Sequence, residues 1–124
     1  MRPKKATLTE QELEIMKIVW QRGTATVRDV YETLLERRKI AYTTVMTMMK
    51  ILEKKGYLKR RMQDRAYVYR PSEPQTVVLR KMVQEFVNRV FNGSAEPLLV
   101  HLVENRSLSE KEIQELMRLV REKP

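Results

Sequence analysis

Cysteine is absent from the 124 residues, which removes disulfides, thiolate metal sites and thiol redox sensing together. Histidine occurs once, at His101, so constellations built on imidazole have almost nothing to draw on. There is no Gly-rich phosphate loop and no Ser/His/Asp or Cys/His set. No pair of carboxylates falls outside helix faces, where ion pairing suffices. An enzyme is therefore the least supported class, and no cofactor or metal is expected. No apolar run reaches the ~18 residues needed to span a bilayer. The opening MRPKKATLTE also lacks the apolar core of a signal peptide, so a cytoplasmic setting is expected.

What the chain does have is periodicity and positive charge. A hydrophobic fraction of 42% in regular patterns marks a folded protein. Lysine and arginine total 25 against 16 aspartate and glutamate, and the excess is not spread evenly. Residues 1–71 hold 17 basic and 8 acidic groups, whereas residues 72–124 hold 8 of each. Charge kept for solubility would be distributed; a nucleic-acid footprint concentrates it on one module. Two parts are expected, residues 1–71 and residues 72–124.

In the first part the stretch AYTTVMTMMKILEKKG, Ala41 to Gly56, carries the argument. Wound as a helix, Val45, Met48, Met49 and Leu52 form one inward stripe. Thr43, Thr47, Lys50 and Lys54 share the opposite sector with Met46 at its edge, and Tyr42 and Thr44 join them at the start. Glu53 lies to the side. An outward face of hydroxyls, ammonium groups and one thioether can approach a polyanion, reach phosphates and meet base edges or a thymine methyl.

Two helices precede it. Thr9 with Glu12 forms a capping box, Leu8 with Leu13 the staple, and Leu13, Ile15, Met16, Val19 and Trp20 an apolar face that Gly23 terminates. Trp20 reads as the anchor of a small core. Thr26 with Asp29 caps a second helix, expected to run to about Arg38 on Val27, Val30, Tyr31, Leu34 and Leu35, with its cations at the C-terminal end. Met1 to Thr7 reads as a mobile arm.

After Gly56 the period changes to two: YLKRRM and AYVYRP flank the turn-like QDR as a hairpin. Arg60, Arg61, Arg65 and Arg70 decorate it, and Tyr67 and Tyr69, on one face, read as cover for the core. Three helices and a basic hairpin follow the winged-helix plan.

In the second part Ser72 with Gln75 is expected to cap a helix to about Phe91, with Leu79, Met82, Val83, Phe86, Val87 and Val90 along one stripe. A short helix, Ser94 to Glu104, offers Leu98, Leu99, Leu102 and Val103. The last begins at Ser109 with Glu112 as box partner and Leu108 with Ile113 as staple, then continues through Leu116, Met117 and Val120. About fifty residues rarely bury three apolar faces alone. A homodimer joined through residues 72–124 is the reading, with folding back on the first part as the alternative.

These residues resemble the penicillinase repressor (BlaI/MecI/CopY) family of winged-helix transcriptional regulators. The resemblance runs through LTEQELEIMKIVW, with Glu12, Met16 and Trp20, through AYTTVMTMMKILEKKGYLKR and AYVYRP, and ends in LVHLVENRSLSEKEIQEL. It implies a bacterial homodimeric repressor on a palindromic double-stranded operator, its third helix in the major groove and its C-terminal helices forming the dimer. The copper-responsive branch bears C-terminal cysteines that this chain lacks. In the β-lactam-responsive branch a sensor-linked protease cuts an Asn-Phe bond in the short fifth helix, where this chain reads His101-Leu102. His101 itself reads as a packed or surface residue. The fold class expected is mainly α with a small β-hairpin, an N-terminal winged helix-turn-helix followed by a three-helix dimerisation region. An RNA-binding winged helix and a protein-interaction adaptor are the competing functions.

Overall fold

A computed structural model describes residues 7–94, 96–105 and 109–121. The expected N-terminal arm lies, apart from Thr7, outside the described residues. The order is α1 (Glu10–Arg22), α2 (Val27–Leu35), α3 (Tyr42–Lys54), β1 (Leu58–Gln63), β2 (Ala66–Pro71), α4 (Gln75–Phe91), α5 (Glu96–Glu104) and α6 (Glu110–Arg121). It divides into two compact units, 1–75 and 76–124.

In the first unit the core draws on every element. Ile15, Met16 and Val19 of α1, Val30 and Leu34 of α2, Val45, Met49 and Leu52 of α3, Leu58 of β1 and Tyr69 of β2 are essentially inaccessible. The helix starts follow local chemistry. Thr9 and Glu12 exchange side-chain and backbone hydrogen bonds at the head of α1, and Thr26 and Asp29 do the same for α2. Between them Ala25 pairs with Tyr69, donating at 2.9 Å and accepting at 2.8 Å, so this short β-prone stretch extends the hairpin by one residue.

Gly56 turns α3 into the hairpin. Its φ of 92° is open to glycine at little cost. The Tyr57 N–H reaches back to the Leu52 carbonyl at 2.9 Å and the Gly56 N–H to Glu53 at 3.0 Å, the double bond of a Schellman stop, with Tyr57 and Leu52 both buried. β1 and β2 then pair antiparallel from Leu58↔Pro71 to Gln63↔Ala66. The turn is two residues, Asp64 and Arg65, shorter than the expected QDR. Both have positive φ, 48° and 67°, as a tight hairpin with right-handed strand twist requires.

Two expected boundaries move. α2 ends at Leu35, three residues early, with no basic residue in its last turn. Arg37 and Arg38 instead leave the helix and reach Glu14 of α1 at 3.3 and 2.6 Å. The Ser72/Gln75 capping box does not form: the Ser72 N–H closes the hairpin base on the Tyr57 carbonyl at 2.9 Å, and its hydroxyl has no partner. β2 ends at Pro71, the chain bends at Ser72 and Glu73, and α4 starts at Gln75.

In the second unit, Val78 and Val87 of α4 are buried, and Leu79, Met82 and Val83 are half-buried. Phe86 and Val90 are exposed, at 39% and 50%. α5 buries no residue; Leu98, Leu99 and Leu102 are half-buried and Val103 is exposed. The Ser109/Glu112 box is present at α6, with hydrogen bonds of 3.0 and 3.2 Å. Leu108 and the side chains of Ile113, Leu116, Met117 and Val120 lie outside the described residues.

Candidate nucleic-acid interface

The orientation of α3 is set from inside. Val45, Met49 and Leu52 are completely buried and Met48 half-buried, so the opposite side must face outward. Thr43, Thr47, Lys50 and Lys54 are exposed along that side, Met46 is half-buried at its edge, and Tyr42 and Thr44 are exposed at the start. Ile51 belongs with them at 40% exposure. The sequence reading passed over it, although Ile51 follows Thr47 by four residues and Thr44 by seven, outside the apolar stripe. An apolar residue on a polar face was the available signal.

The N-terminal end of α3 differs from those of α1, α2 and α6. Its cap residue Ala41 offers no side-chain acceptor and its first turn holds no acid. The positive end of the helix dipole is thus left uncompensated. Tyr42 is held there by Tyr31, edge-to-face with ring centroids 5.4 Å apart, and by the Arg28 guanidinium 5.9 Å from its ring.

Tertiary contacts sort the cations of this unit into tied and untied. Glu14 holds Arg37 and Arg38, and Glu12 holds Lys55 at 2.7 Å. The Arg38 hydrogen bond is the main reason the Glu14 carboxyl lies below its ordinary pKa. Burial alone would raise the Glu12 carboxyl, but Lys55 and the Thr9 N–H outweigh it and hold it low. Asp29 pairs with Arg22 at 3.4 Å and is lowered mainly by its bond from the Thr26 backbone. Lys50, Lys54, Lys59, Arg61, Arg65 and Arg70 form no ion pair among the described residues. Lys17 of α1 and Lys39 between α2 and α3 are likewise without an ion pair among the described residues, and the other six lie on α3 or the hairpin.

The hairpin's pleat separates its arginines. Arg61, bonded at 3.2 Å to Gln63, shares the outer face with Lys59 and Arg70, which sit directly across the strands from each other. Arg65 is exposed at the turn. Arg60 occupies the inner face with Leu58 and Tyr69, where it pairs with Glu53 at 3.2 Å and lies 4.1 Å from the centre of the Tyr67 ring. Tyr69 covers the core as expected, whereas Tyr67 is 43% exposed. Trp20 is half-buried, and its indole N–H donates to the Glu73 carbonyl at 3.0 Å.

Comparison with known proteins agrees with this geometry. The penicillinase repressor family model matches residues 8–122. The chain belongs to the penicillinase repressor family. A penicillinase repressor of Bacillus licheniformis is 30% identical over 115 residues, 93% of this chain and 90% of the relative. The transcriptional regulator BlaI of Mycobacterium tuberculosis is 38% identical over 99 residues, 78% of this chain and 72% of its own length. Among solved structures, the monomeric form of Bacillus licheniformis BlaI in complex with a half-operator aligns with a TM-score of 0.51 and 29% identity. That alignment covers 59% of this chain and 89% of that one. The family is one of DNA-binding transcriptional repressors, and the helix-plus-hairpin architecture here is a winged helix. Among the described residues no helix is long and apolar enough to cross a membrane.

Proposed function

We propose that two copies of this chain join through the second unit and act in the cytoplasm as a transcriptional repressor on a palindromic operator. The observation that carries the DNA half of the reading is the outward side of α3, which bears threonines, lysines and Ile51 but no carboxylate, opposite a fully buried stripe. Thr43, Met46 and Thr47 read base edges and thymine methyls in the major groove, with Tyr42 and Thr44 at the helix start. Lys50, Lys54, Arg61 and Arg65 neutralise phosphates. A relative solved in its monomeric form in complex with a half-operator supports the DNA half of this reading.

The dimer rests on α4 and α5. Phe86 and Val90 stand exposed, Leu79, Met82 and Val83 are half-covered, and α5 with Leu98, Leu99 and Leu102 buries nothing completely. A second copy supplies the missing cover; Leu116 and Val120, expected from the sequence at the same interface, have side chains outside the described residues. Val87 is already buried and serves as its floor. For release, the family resemblance points to a sensor-linked protease; in this chain such an enzyme must accept a His101-Leu102 bond on α5.

Binding-site selection from random duplexes, followed by affinity measurement on the selected operator and a scrambled duplex, tests the reading. Lys50→Gln and Lys54→Gln should weaken both duplexes alike, and Thr43→Ala, Met46→Ala and Thr47→Ala should alter only the preference between them. Equal loss on both duplexes from the threonine and methionine variants would refute base reading by α3. Preferential capture of structured RNA over duplex would favour the RNA-binding alternative.

A further inference from the structure

From the sequence Arg60, Arg61 and Arg65 are alike candidates for DNA contact on the hairpin, and the structure does not treat them equally. Beyond Tyr69 the inner face of the hairpin carries Met62 and Tyr67, both exposed, so core packing ends there. The guanidinium of Arg60 spans this point. Its Nε forms an ion pair with Glu53 Oε2, 3.2 Å away at the end of α3, while its guanidinium carbon lies 4.1 Å from the Tyr67 ring centre on β2. One side chain on β1 thus ties the recognition helix to both strands. Glu53 is also the single carboxylate of α3, and it is spent on this contact. Arg61, the next residue, points the other way and meets no acid among the described residues.

Building on the operator-binding reading, we propose that Arg60 is a positioning residue that clamps the outer half of the hairpin to α3 through Glu53 and Tyr67, and that it makes no phosphate contact itself. A planar guanidinium suits this task, since it can lie on an aromatic ring while its edge meets a carboxylate. The clamp sets where Arg61 and Arg65 stand when α3 occupies its groove.

The test uses the full chain on the selected operator across a salt series. Arg60→Gln should weaken operator binding about two- to fivefold, the factor that an exposed cation–ring contact is worth. The slope of log K against log salt should equal that of the parent. Arg61→Gln should instead flatten that slope by about 0.9 for each copy bound. The Glu53→Gln/Arg60→Gln pair should lose no more than Arg60→Gln alone. A flattened slope in Arg60→Gln, additive losses in the pair, or parental affinity in Arg60→Gln would each overturn the proposal. A DNA-free measurement separates this from the operator reading: hairpin amides should exchange hydrogen faster in Arg60→Gln than in the parent or Arg61→Gln. Unchanged exchange sinks the clamp even if the protein binds DNA; absence of duplex binding by the parent sinks the operator reading even if exchange rises.

Discussion

Replacing Glu12 by Gln isolates the ion pair that joins the start of α1 to the end of α3. Glu12 is 5% exposed and receives the Lys55 ammonium at 2.7 Å and the Thr9 N–H at 2.9 Å. Glutamine keeps an oxygen for the Thr9 N–H, so the cap survives and the loss falls on the pair with Lys55. A hydrogen bond to a charged group contributes about 1.5–3 kcal/mol. Lys55 retains partial solvent access and a second acceptor, the Thr7 carbonyl at 3.2 Å, which places the expected cost near the lower end, about 1.5 kcal/mol. In a module of this size each kcal/mol moves the melting midpoint by about 4–8 °C, so the shift should be about 6–12 °C at neutral pH. Because folding holds the Glu12 carboxyl below its ordinary value of 4.5, its contribution is full above that pH and is lost as pH falls through the lowered folded value. Glu14 is also lowered from 4.5 and Asp29 from 3.8, but both are common to the two proteins. Urea unfolding of parent and variant at neutral pH and near pH 3 reads the difference directly. A gap below about 0.5 kcal/mol at neutral pH, within the range of ordinary surface substitutions, would refute the reasoning, as would a gap that persists unchanged in acid.

Three further substitutions probe other parts. Trp20→Phe removes the donor to Glu73 and should cost about 1 kcal/mol in denaturant unfolding followed by circular dichroism; an unchanged midpoint would show that the indole bond contributes nothing. Changing Asp64 and Arg65 together to Asn and Gly suits the positive φ angles and should stabilise the hairpin by about 0.5–1 kcal/mol. The same change should flatten the salt dependence of operator binding if Arg65 meets a phosphate. Phe86→Glu places a charge on the exposed face of α4 and should convert a dimer to monomers in sedimentation, with half-site affinity retained; a dimer that persists would exclude this face from the interface.

The parts of the fold written in adjacent residues were legible before any coordinates. Thr9/Glu12, Thr26/Asp29 and Ser109/Glu112 each cap a helix because a hydroxyl and a carboxylate three residues apart reach each other's backbone N–H whatever surrounds them. The stripe of Val45, Met49 and Leu52 and the opposite polar side of α3 follow equally from helical periodicity. Ser72/Gln75 has the same spacing and failed, because the Ser72 N–H is claimed by Tyr57, fifteen positions earlier in the chain. α2 also ends before its expected terminal cations, Arg37 and Arg38, whose side chains pair with Glu14 of α1.

The candidate interface divides along the same line. Composition located the basic excess in the first part of the chain and periodicity assigned the outward residues of α3, both from the residues themselves. Which cations remain untied was a tertiary decision: Lys55, Arg37, Arg38 and Arg60 are engaged by carboxylates on other elements, while Lys50, Lys54, Arg61 and Arg65 are not. Local hydrogen bonding acts over three or four residues and is written in the sequence. Ion pairing depends on which distant side chains the packed core brings within reach, and only the folded chain determines that.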